Sequence, residues 1–205
     1  MLIDKTVLSR MLVSAAAVWE EQADYLSRID SRFGDGDHGV TILKIARLIS
    51  ARVPEWKEES PAEFLDDLGT AVMEIRGGSA GPLYGTLIGG LGAQIGSRAE
   101  LDGAGAKDML TGCLAEMQDL TPAGIGDKTM MDALIPAVQA AARCEGDAKA
   151  VWQAAAQAAE EGAKASEGYI AKFGRAKSYK EQTIGTPDAG AVSTALFLRG
   201  MADGI

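Results

Sequence analysis

Apolar residues recur along most of the chain at intervals of three and four positions. Near the start of the sequence they form one stripe: Leu8, Met11, Leu12, Ala15, Trp19, Ala23 and Leu26. This spacing is typical of a helix that buries one face in a core. No stretch of the sequence sustains the two-residue alternation of a strand, and none carries a hairpin motif. The pattern therefore predicts an all-α protein.

Capping residues divide this pattern into about eight amphipathic helices, packed as a bundle or a ring in one domain over residues 1–205. Residues 60–63 (S-P-A-E) combine a capping box with a first-turn proline, so a helix should begin there, and we expect it to end at Gly77-Gly78. The other helices are expected to start near Gly39, Pro82, Lys107, Lys128, Asp147 and Ala189, with the Pro82 helix running to Arg98. Residues 172–187 lack apolar periodicity, which is typical of a lid or a binding loop.

The overall charge argues against two classes of partner. The net charge is −9 and no run of Lys or Arg exceeds a pair, which disfavours nucleic-acid binding. The most apolar stretch, about residues 82–96, is too short and glycine-rich to span a membrane, and the charged N-terminal segment does not resemble a signal peptide. Cys113 and Cys144 form no C-x-x-C motif, which favours a reduced, cytoplasmic location.

An acidic, glycine-containing motif precedes the second helix. Asp30, Asp35 and Asp37 fall within eight residues in the sequence D-S-R-F-G-D-G-D-H-G. Mg²⁺ prefers carboxylate oxygens and completes its shell with water and phosphate oxygens. Gly34 and Gly36 allow the backbone to turn tightly enough to aim the three carboxylates at one point. The motif predicts a metal site, although a solvated turn that caps a helix fits the same residues.

Three well-known types of binding site do not fit this motif. The glycine spacing matches the dinucleotide fingerprint G-x-G-x-x-G, but no strand precedes it. An EF-hand loop that starts at Asp35 would need an acid where Ala46 stands, and one that starts at Asp30 would need it at Thr41. A di-iron helix bundle needs two Glu-x-x-His pairs, whereas the chain has one histidine, His38.

Three further glycine-containing motifs are individually weaker. Residues 76–82 (R-G-G-S-A-G-P) lead into a helix, where free N–H groups can bind phosphate, but they equally fit a helix stop and restart. Residues 124–132 (G-I-G-D-K-T-M-M-D) are not a Walker A motif. Arg175 could grip phosphate or be a solvated loop residue, and Asp188 could contact a ribose or only cap the last helix.

In their order and spacing, these motifs resemble the L subunit, or L domain, of dihydroxyacetone kinases. The similarity rests on D-x4-D-G-D-H-G, G-G-S-A-G-P-L-Y-G-T, G-D-K-T-M-M-D-A-L-I-P, G-R-A-K-S-Y and D-A-G-A-x-S, and it extends from about residue 26 to residue 197. The resemblance implies an eight-helix antiparallel barrel whose loops hold a nucleotide at one end. It also implies that Asp30, Asp35 and Asp37 hold two Mg²⁺ ions that bridge the phosphates of ADP or ATP.

The resemblance further implies a set of nucleotide-binding residues: His38, Gly39, Val40, Thr41, Gly78, Ser79, Ala80, Thr129, Met130, Arg175, Asp188, Ala189 and Gly190. Ser79 and Ala80 would offer N–H groups to phosphate, and Met130 would pack on the adenine. Arg175 would reach the terminal phosphates. Three places depart from the family pattern: many L subunits carry Asn in place of Thr41 and Ser in place of Ala80, and Thr121-Pro122 replaces an R-G-K-A-like run.

The implied activity is that of an incomplete kinase. The chain would transfer a phosphoryl group to a short ketose held on a separate K subunit, and it would be inactive without that subunit. It carries no catalytic residue by this comparison, because the family's ketose-binding histidine belongs to the K subunit. Retained ADP could be rephosphorylated by a phosphohistidine carrier of the phosphotransferase system, or ATP could exchange freely, which Thr41 slightly favours. A non-catalytic nucleotide sensor that binds a transcription regulator is the alternative.

Overall fold

The computed structural model describes residues 1–57 and 60–205, and this part of the chain is almost entirely helical. The helices are α1 (Lys5–Asp30), α2 (His38–Arg52), α3 (Pro61–Met73), α4 (Ala80–Gly90), α5 (Gly103–Leu120), α6 (Met131–Arg143), α7 (Ala148–Ala165) and α8 (Ala189–Asp203). Short 3-10 helices occur at Val53–Glu55, Ser166–Gly168 and Arg175–Thr183. The described residues form no strand beyond one antiparallel bridge between Ile3 and Leu101. The predicted all-α class is confirmed.

The helices pack side by side in a closed ring. Helix α1 lies between α2 and α8, α7 joins α8 to α6 and α5, and α4 lies between α3 and α5. Contacts of α2 with α3 and α4 close the ring. Trp19 of α1 is fully buried inside it, against the rings of Tyr84 and Phe197, and its Nε1 donates to the Ser193 carbonyl at 2.7 Å. This arrangement confirms the barrel that the family resemblance implied.

Glycines allow neighbouring helices to approach closely. A Cβ on Gly85 would lie 2.6 Å from the Gly69 carbonyl oxygen, so α3 and α4 pack backbone against backbone. A Cβ on Gly200 would lie 2.4 Å from the Cα of Ala15, which makes the α1–α8 contact equally close. These separations are shorter than any side chain larger than hydrogen permits. Gly85 of α4 and Gly200 of α8 therefore serve close helix packing.

Several predicted helix boundaries are wrong. Helix α3 ends at Met73 and not at Gly77-Gly78, because the intervening residues reverse the chain direction before α4. Helix α4 ends at Gly90 and not near Arg98, and the chain continues in turns where glycine disfavours a regular helix. Helix α5 begins at Gly103, earlier than Lys107, because Asp102 caps it by accepting from the Gly105 N–H at 3.0 Å.

Four connections meet at one end of the ring. They are the α1–α2, α3–α4, α5–α6 and α7–α8 connections, each of which joins an odd-numbered helix to the next even-numbered one. Residues 172–187 belong to the last of these and contain a 3-10 helix that is kinked at Lys180, where φ is 51°. None of the described helices combines the length and apolar character that a membrane span requires.

Candidate functional site

The four connections surround a pocket of about 420 Å³. Most residues that the sequence singled out line it: Asp30, Asp35, Asp37, His38, Gly78, Ser79, Ala80, Thr129, Met130, Arg175, Asp188, Ala189 and Gly190. These residues come from segments that lie far apart in the sequence. The fold thus brings the four glycine-containing motifs together at one place.

The acidic α1–α2 connection folds into a tight turn with its carboxylates converging. One oxygen from each of Asp30, Asp35 and Asp37 lies within 4.8 Å of the others. The Gly36 N–H, at a residue with φ of 77°, donates to Asp30 Oδ2 at 2.8 Å. A Cβ on Gly34 would lie 2.2 Å from Asp30 Oδ1, so only glycine fits there. An all-oxygen donor set of this kind fits a hard divalent cation such as Mg²⁺.

Residues 172–186, which we call the lid segment, fold over this acidic turn. The Arg175 guanidinium forms an ion pair with Asp35. The rings of Tyr179 and Phe33 lie 5.2 Å apart between centroids. Arg175 therefore places a positive charge beside the converging carboxylates. A phosphate group bound to a metal at this turn would need such a counter-charge.

All four even-numbered helices begin at the pocket. The first residue of each one, namely His38, Ala80, Met131 and Ala189, lines it. At α4 the N-cap residue Ser79 makes no side-chain capping bond, and Gly78 has a positive φ of 56° with open space around its Cα. Free N–H groups and the positive ends of the helix dipoles favour an anion in this position.

His38 is tied to the helix barrel by a hydroxyl network that the sequence did not reveal. Its Nε2 lies 2.8 Å from Ser193 Oγ, which in turn lies 2.5 Å from the Tyr84 hydroxyl. Burial lowers the pKa of His38 although the nearby Asp30 raises it. Tyr84 could have been noticed as the only aromatic residue in α4, but nothing in the sequence links it to Ser193, 109 residues away.

Lys128 is a second pocket residue that sequence reasoning left unassigned. It is buried, its φ is 60°, and its Nζ donates to the carbonyls of Ser166 at 2.5 Å and Thr186 at 2.6 Å. Burial lowers its pKa, whereas the neighbouring carboxylates, Asp188 first among them, raise it. Because burying a charged amine is costly unless it is hydrogen-bonded, these two bonds indicate that Lys128 has a structural role.

Asp188 caps α8 from the wall of the pocket. It accepts from the Ala191 N–H at 2.7 Å. Burial raises its pKa from 3.8 to about 7, although that hydrogen bond and the nearby Lys128 oppose the rise. Burial likewise raises the pKa of Asp132, which accepts the N–H groups of Gly126 and Thr129 and so shapes the turn that precedes α6. Burial thus raises the pKa of two carboxyl groups, of which Asp188 lines the pocket.

Three of the singled-out residues do not line the pocket. A Cβ on Gly39 would lie 1.9 Å from the Ala23 carbonyl oxygen, so Gly39 allows α2 to contact α1. Val40 is half exposed on the outside of α2. Thr41 is buried beneath the α3–α4 connection, where a Cβ on Gly77 would lie 2.1 Å from its Oγ1. Thr41 thus packs against Gly77 in the α3–α4 connection.

Comparison with known proteins assigns the chain to a family. A model described as the DAK2 domain matches residues 32–203. The chain belongs to the DAK2 domain family. It is 31% identical to an ADP-binding subunit, DhaL, of the PEP-dependent dihydroxyacetone kinase 2 of Listeria innocua, and the alignment covers 97% of this chain and 94% of that one. It is 33% identical to the D-erythrulose kinase of Mycolicibacterium smegmatis over 96% of this chain, but it spans only 35% of that longer protein.

Solved structures support the same fold. The dihydroxyacetone kinase of C. freundii in its native form superposes on 97% of this DAK2 chain with a TM-score of 0.74 and 25% identity, and this chain covers 34% of it. The same enzyme in complex with AMP-PNP and Mg²⁺ gives a TM-score of 0.75 at 23% identity, over 100% of this chain and 35% of that one. The family resemblance stated from the motifs is confirmed.

Proposed function

We propose that this DAK2 chain is the Mg-nucleotide-binding subunit of a two-component kinase that phosphorylates a short ketose held on a separate K subunit. The observation that carries the proposal is the convergence of three carboxylates and four helix N-termini on one pocket. Carboxylates bind a divalent cation, and helix N-termini bind phosphate. The alignment with nearly the whole of a relative named as an ADP-binding subunit supports this function.

In this proposal Asp30, Asp35 and Asp37 hold two Mg²⁺ ions. The N–H groups of Ser79 and Ala80 would bind the phosphates, and Arg175, which pairs with Asp35, would contact the terminal phosphates. When bound, the metal ions supply electrostatic stabilisation of the charge that develops on the transferred phosphoryl group. The chain's own residues position the nucleotide, and none of them acts as a nucleophile.

The hydrophobic part of the pocket suits the base and ribose. Met130 is nearly fully buried at the start of α6, and its sulfur-containing side chain can pack on the face of an adenine ring. Asp188, Ala189 and Gly190 border the same space, where a Cβ on Gly190 would come within 3.4 Å of the Met130 nitrogen. We assign Thr129 to this region as well. Such a site accepts either ADP or ATP.

Two sources of the phosphoryl group are compatible with this pocket. ADP could stay bound and be rephosphorylated in place by a phosphohistidine carrier protein of the phosphotransferase system. Alternatively, ATP could bind and ADP leave in each turnover. We further propose that the subunit works in a reduced cytoplasm, since Cys113 and Cys144 are both free thiols.

The test is a reconstitution with the K subunit of a two-component dihydroxyacetone kinase. The purified chain is mixed with that subunit, Mg²⁺ and dihydroxyacetone or erythrulose, and ketose phosphate is measured with ATP or with a phosphorylated carrier protein as donor. We expect product with one of the two donors and none when this chain is omitted. Chromatography of the nucleotide released on denaturation then separates the mechanisms, because only the carrier route requires retained ADP.

Two outcomes would contradict the proposal. Nucleotide binding without turnover under any donor would favour a nucleotide sensor that binds a regulatory partner. Failure to bind any nucleotide would reject a nucleotide site altogether.

The Asp66→Asn variant is the matched control for any change at the acidic turn, because Asp66 is an exposed carboxylate of α3 away from the pocket.

A further inference from the structure

The dipeptide Asp127-Lys128 has a role that neither the metal site nor the helix N-termini account for. It belongs to the glycine-containing motif before α6, and its polar groups bind other parts of the protein. Asp127 Oδ2 accepts the Gly124 N–H at 2.8 Å, and Lys128 Nζ donates to two carbonyls. Lys128 also has a positive φ of 60°, a conformation that costs a side-chain-bearing residue energy and is found where a function requires it.

The first residue of the lid segment is attached to Asp127 in two ways. The Lys172 N–H donates to the Asp127 carbonyl at 3.1 Å, and Lys172 Nζ forms an ion pair with Asp127 Oδ1 at 2.6 Å. The hydrogen bond from Lys172 is the main reason that the pKa of Asp127 is lowered. The Asp127 side chain is 18% exposed, whereas that of Lys172 is 60% exposed, so water screens this ion pair from the lysine side.

The last residue of the lid segment is attached to Lys128. Its Nζ donates to the Thr186 carbonyl at 2.6 Å and to the Ser166 carbonyl, at the end of α7, at 2.5 Å. Because Lys128 is only 5% exposed, losing these bonds would leave the Thr186 carbonyl without this buried donor, whereas the Ser166 carbonyl also accepts the Tyr169 N–H at 3.1 Å. One dipeptide therefore fastens both ends of the lid segment.

The other attachments of the lid segment lie near its C-terminal end, where the Gly185 N–H donates to the Glu167 carbonyl at 2.8 Å and the buried Thr183 Oγ1 accepts the Ala171 N–H at 3.1 Å. Most of residues 173–185 are exposed, and the contacts that reach across the pocket are the Arg175–Asp35 ion pair and the Tyr179–Phe33 ring contact. A segment held mainly at its ends moves with those ends. The position of Arg175 over the acidic turn therefore depends on the two attachments to Asp127-Lys128.

We propose that Asp127 and Lys128 are positioning residues that hold both ends of the lid segment and thereby keep Arg175 over the bound nucleotide. The consequence for nucleotide release rests on the proposed function, whereas the attachment itself does not. Weakening it should let the segment open more often. Nucleotide should then leave faster, and its association, which also needs an open pocket, should not slow.

The experiment uses Lys172→Met, which breaks the ion pair to Asp127 at an exposed side chain and should not prevent folding. Lys172→Arg keeps the charge and should restore the contact, and Lys177→Met makes the same charge change within the same segment as a control. Amide hydrogen exchange of residues 173–185 is measured in the nucleotide-free protein, and the release of Mg-ADP is measured by displacement. Lys128→Met is the stronger perturbation, provided that circular dichroism shows it to be folded.

For Lys172→Met we expect exchange and Mg-ADP release to rise about fivefold, as for an ion pair between an exposed lysine and a partly buried carboxylate, and the association rate not to fall. Lys172→Arg and Lys177→Met should behave as the parent protein. Unchanged exchange in Lys172→Met, or faster exchange with unchanged release, would overturn the positioning role. A parent protein that binds no Mg-ADP would instead reject the proposed function, and the exchange data would still decide whether the attachment exists.

Discussion

Replacing Asp188 by Asn should change how stability depends on pH. Burial raises the pKa of this carboxyl group from 3.8 to about 7 in the folded protein. The folded protein therefore holds a proton that the unfolded chain has already released between about pH 4 and pH 7. Because the folded state binds more protons than the unfolded state in this window, this group lowers the free energy of unfolding as the pH rises. This loss of stability is complete above pH 7. Asn carries no charge, and it still accepts the Ala191 N–H as an N-cap residue.

The magnitude follows from the two pKa values. A difference of about three pH units corresponds to about 4 kcal/mol above pH 7, of which about 2–3 kcal/mol develops between pH 5 and pH 8. Urea unfolding of the nucleotide-free protein at pH 5, 6, 7 and 8 gives the free energy of unfolding for both proteins. We expect Asp188→Asn to gain about 2–3 kcal/mol relative to the parent across this range, because effects of other titrating groups cancel in the difference.

Asp102→Asn is the matched control. Asp102 caps α5 with the same geometry, accepting from the Gly105 N–H, but it is exposed and that hydrogen bond lowers its pKa. Its carboxylate is therefore ionised in both states from pH 5 to pH 8, and the difference between this variant and the parent should stay flat. A flat difference for Asp188→Asn as well, or one that falls with pH, would refute the argument that Asp188 is a buried, protonated group in the nucleotide-free protein.

Two predictions concern the packing around the site. Gly39→Ala should destabilise the protein by about 2–4 kcal/mol in urea unfolding, since its Cβ would lie 1.9 Å from the Ala23 carbonyl oxygen, whereas Gly78→Ala meets open space and should cost only about 1 kcal/mol from its positive φ of 56°. Equal losses for the two would contradict the close approach of α1 and α2. Tyr84→Phe should cost about 1–3 kcal/mol, because it removes a buried hydroxyl that contacts the Ser193 and Thr194 hydroxyls, and an unchanged midpoint in thermal unfolding would show that this network contributes nothing.

The sequence predicts the helices well where their apolar faces are long. The stripe from Leu8 to Leu26 lies on one buried face of α1, and the capping box at Ser60 is present in the structure, with the Glu63 N–H donating to Ser60 Oγ at 3.3 Å. Prediction of helix ends from the sequence fails where glycine weakens the helical pattern. The end of α4 at Gly90 and the start of α5 at Gly103 depend on packing and capping contacts that the apolar spacing does not contain.

The candidate site shows a similar division. Asp30, Asp35 and Asp37 are close in sequence, so their convergence could be predicted from the glycines between them. The roles of Lys128 and Tyr84 could not, because their partners lie 38 to 110 residues away and are reached only through the barrel. Local patterns thus predict what one loop can do, and long-range contacts decide which loops act together.

Native mass spectrometry of the protein incubated with Mg-ADP tests whether the acidic turn holds metal ions beside a bound nucleotide, since it detects both on the same molecule. We expect one nucleotide with two Mg²⁺ ions on the parent protein and on Asp66→Asn, and an affinity reduced at least about tenfold in Asp35→Asn, equivalent to about 1.4 kcal/mol. Equal occupancy in Asp35→Asn would contradict the assignment of the acidic turn as the metal site. No nucleotide on the parent protein would contradict the nucleotide-binding function itself.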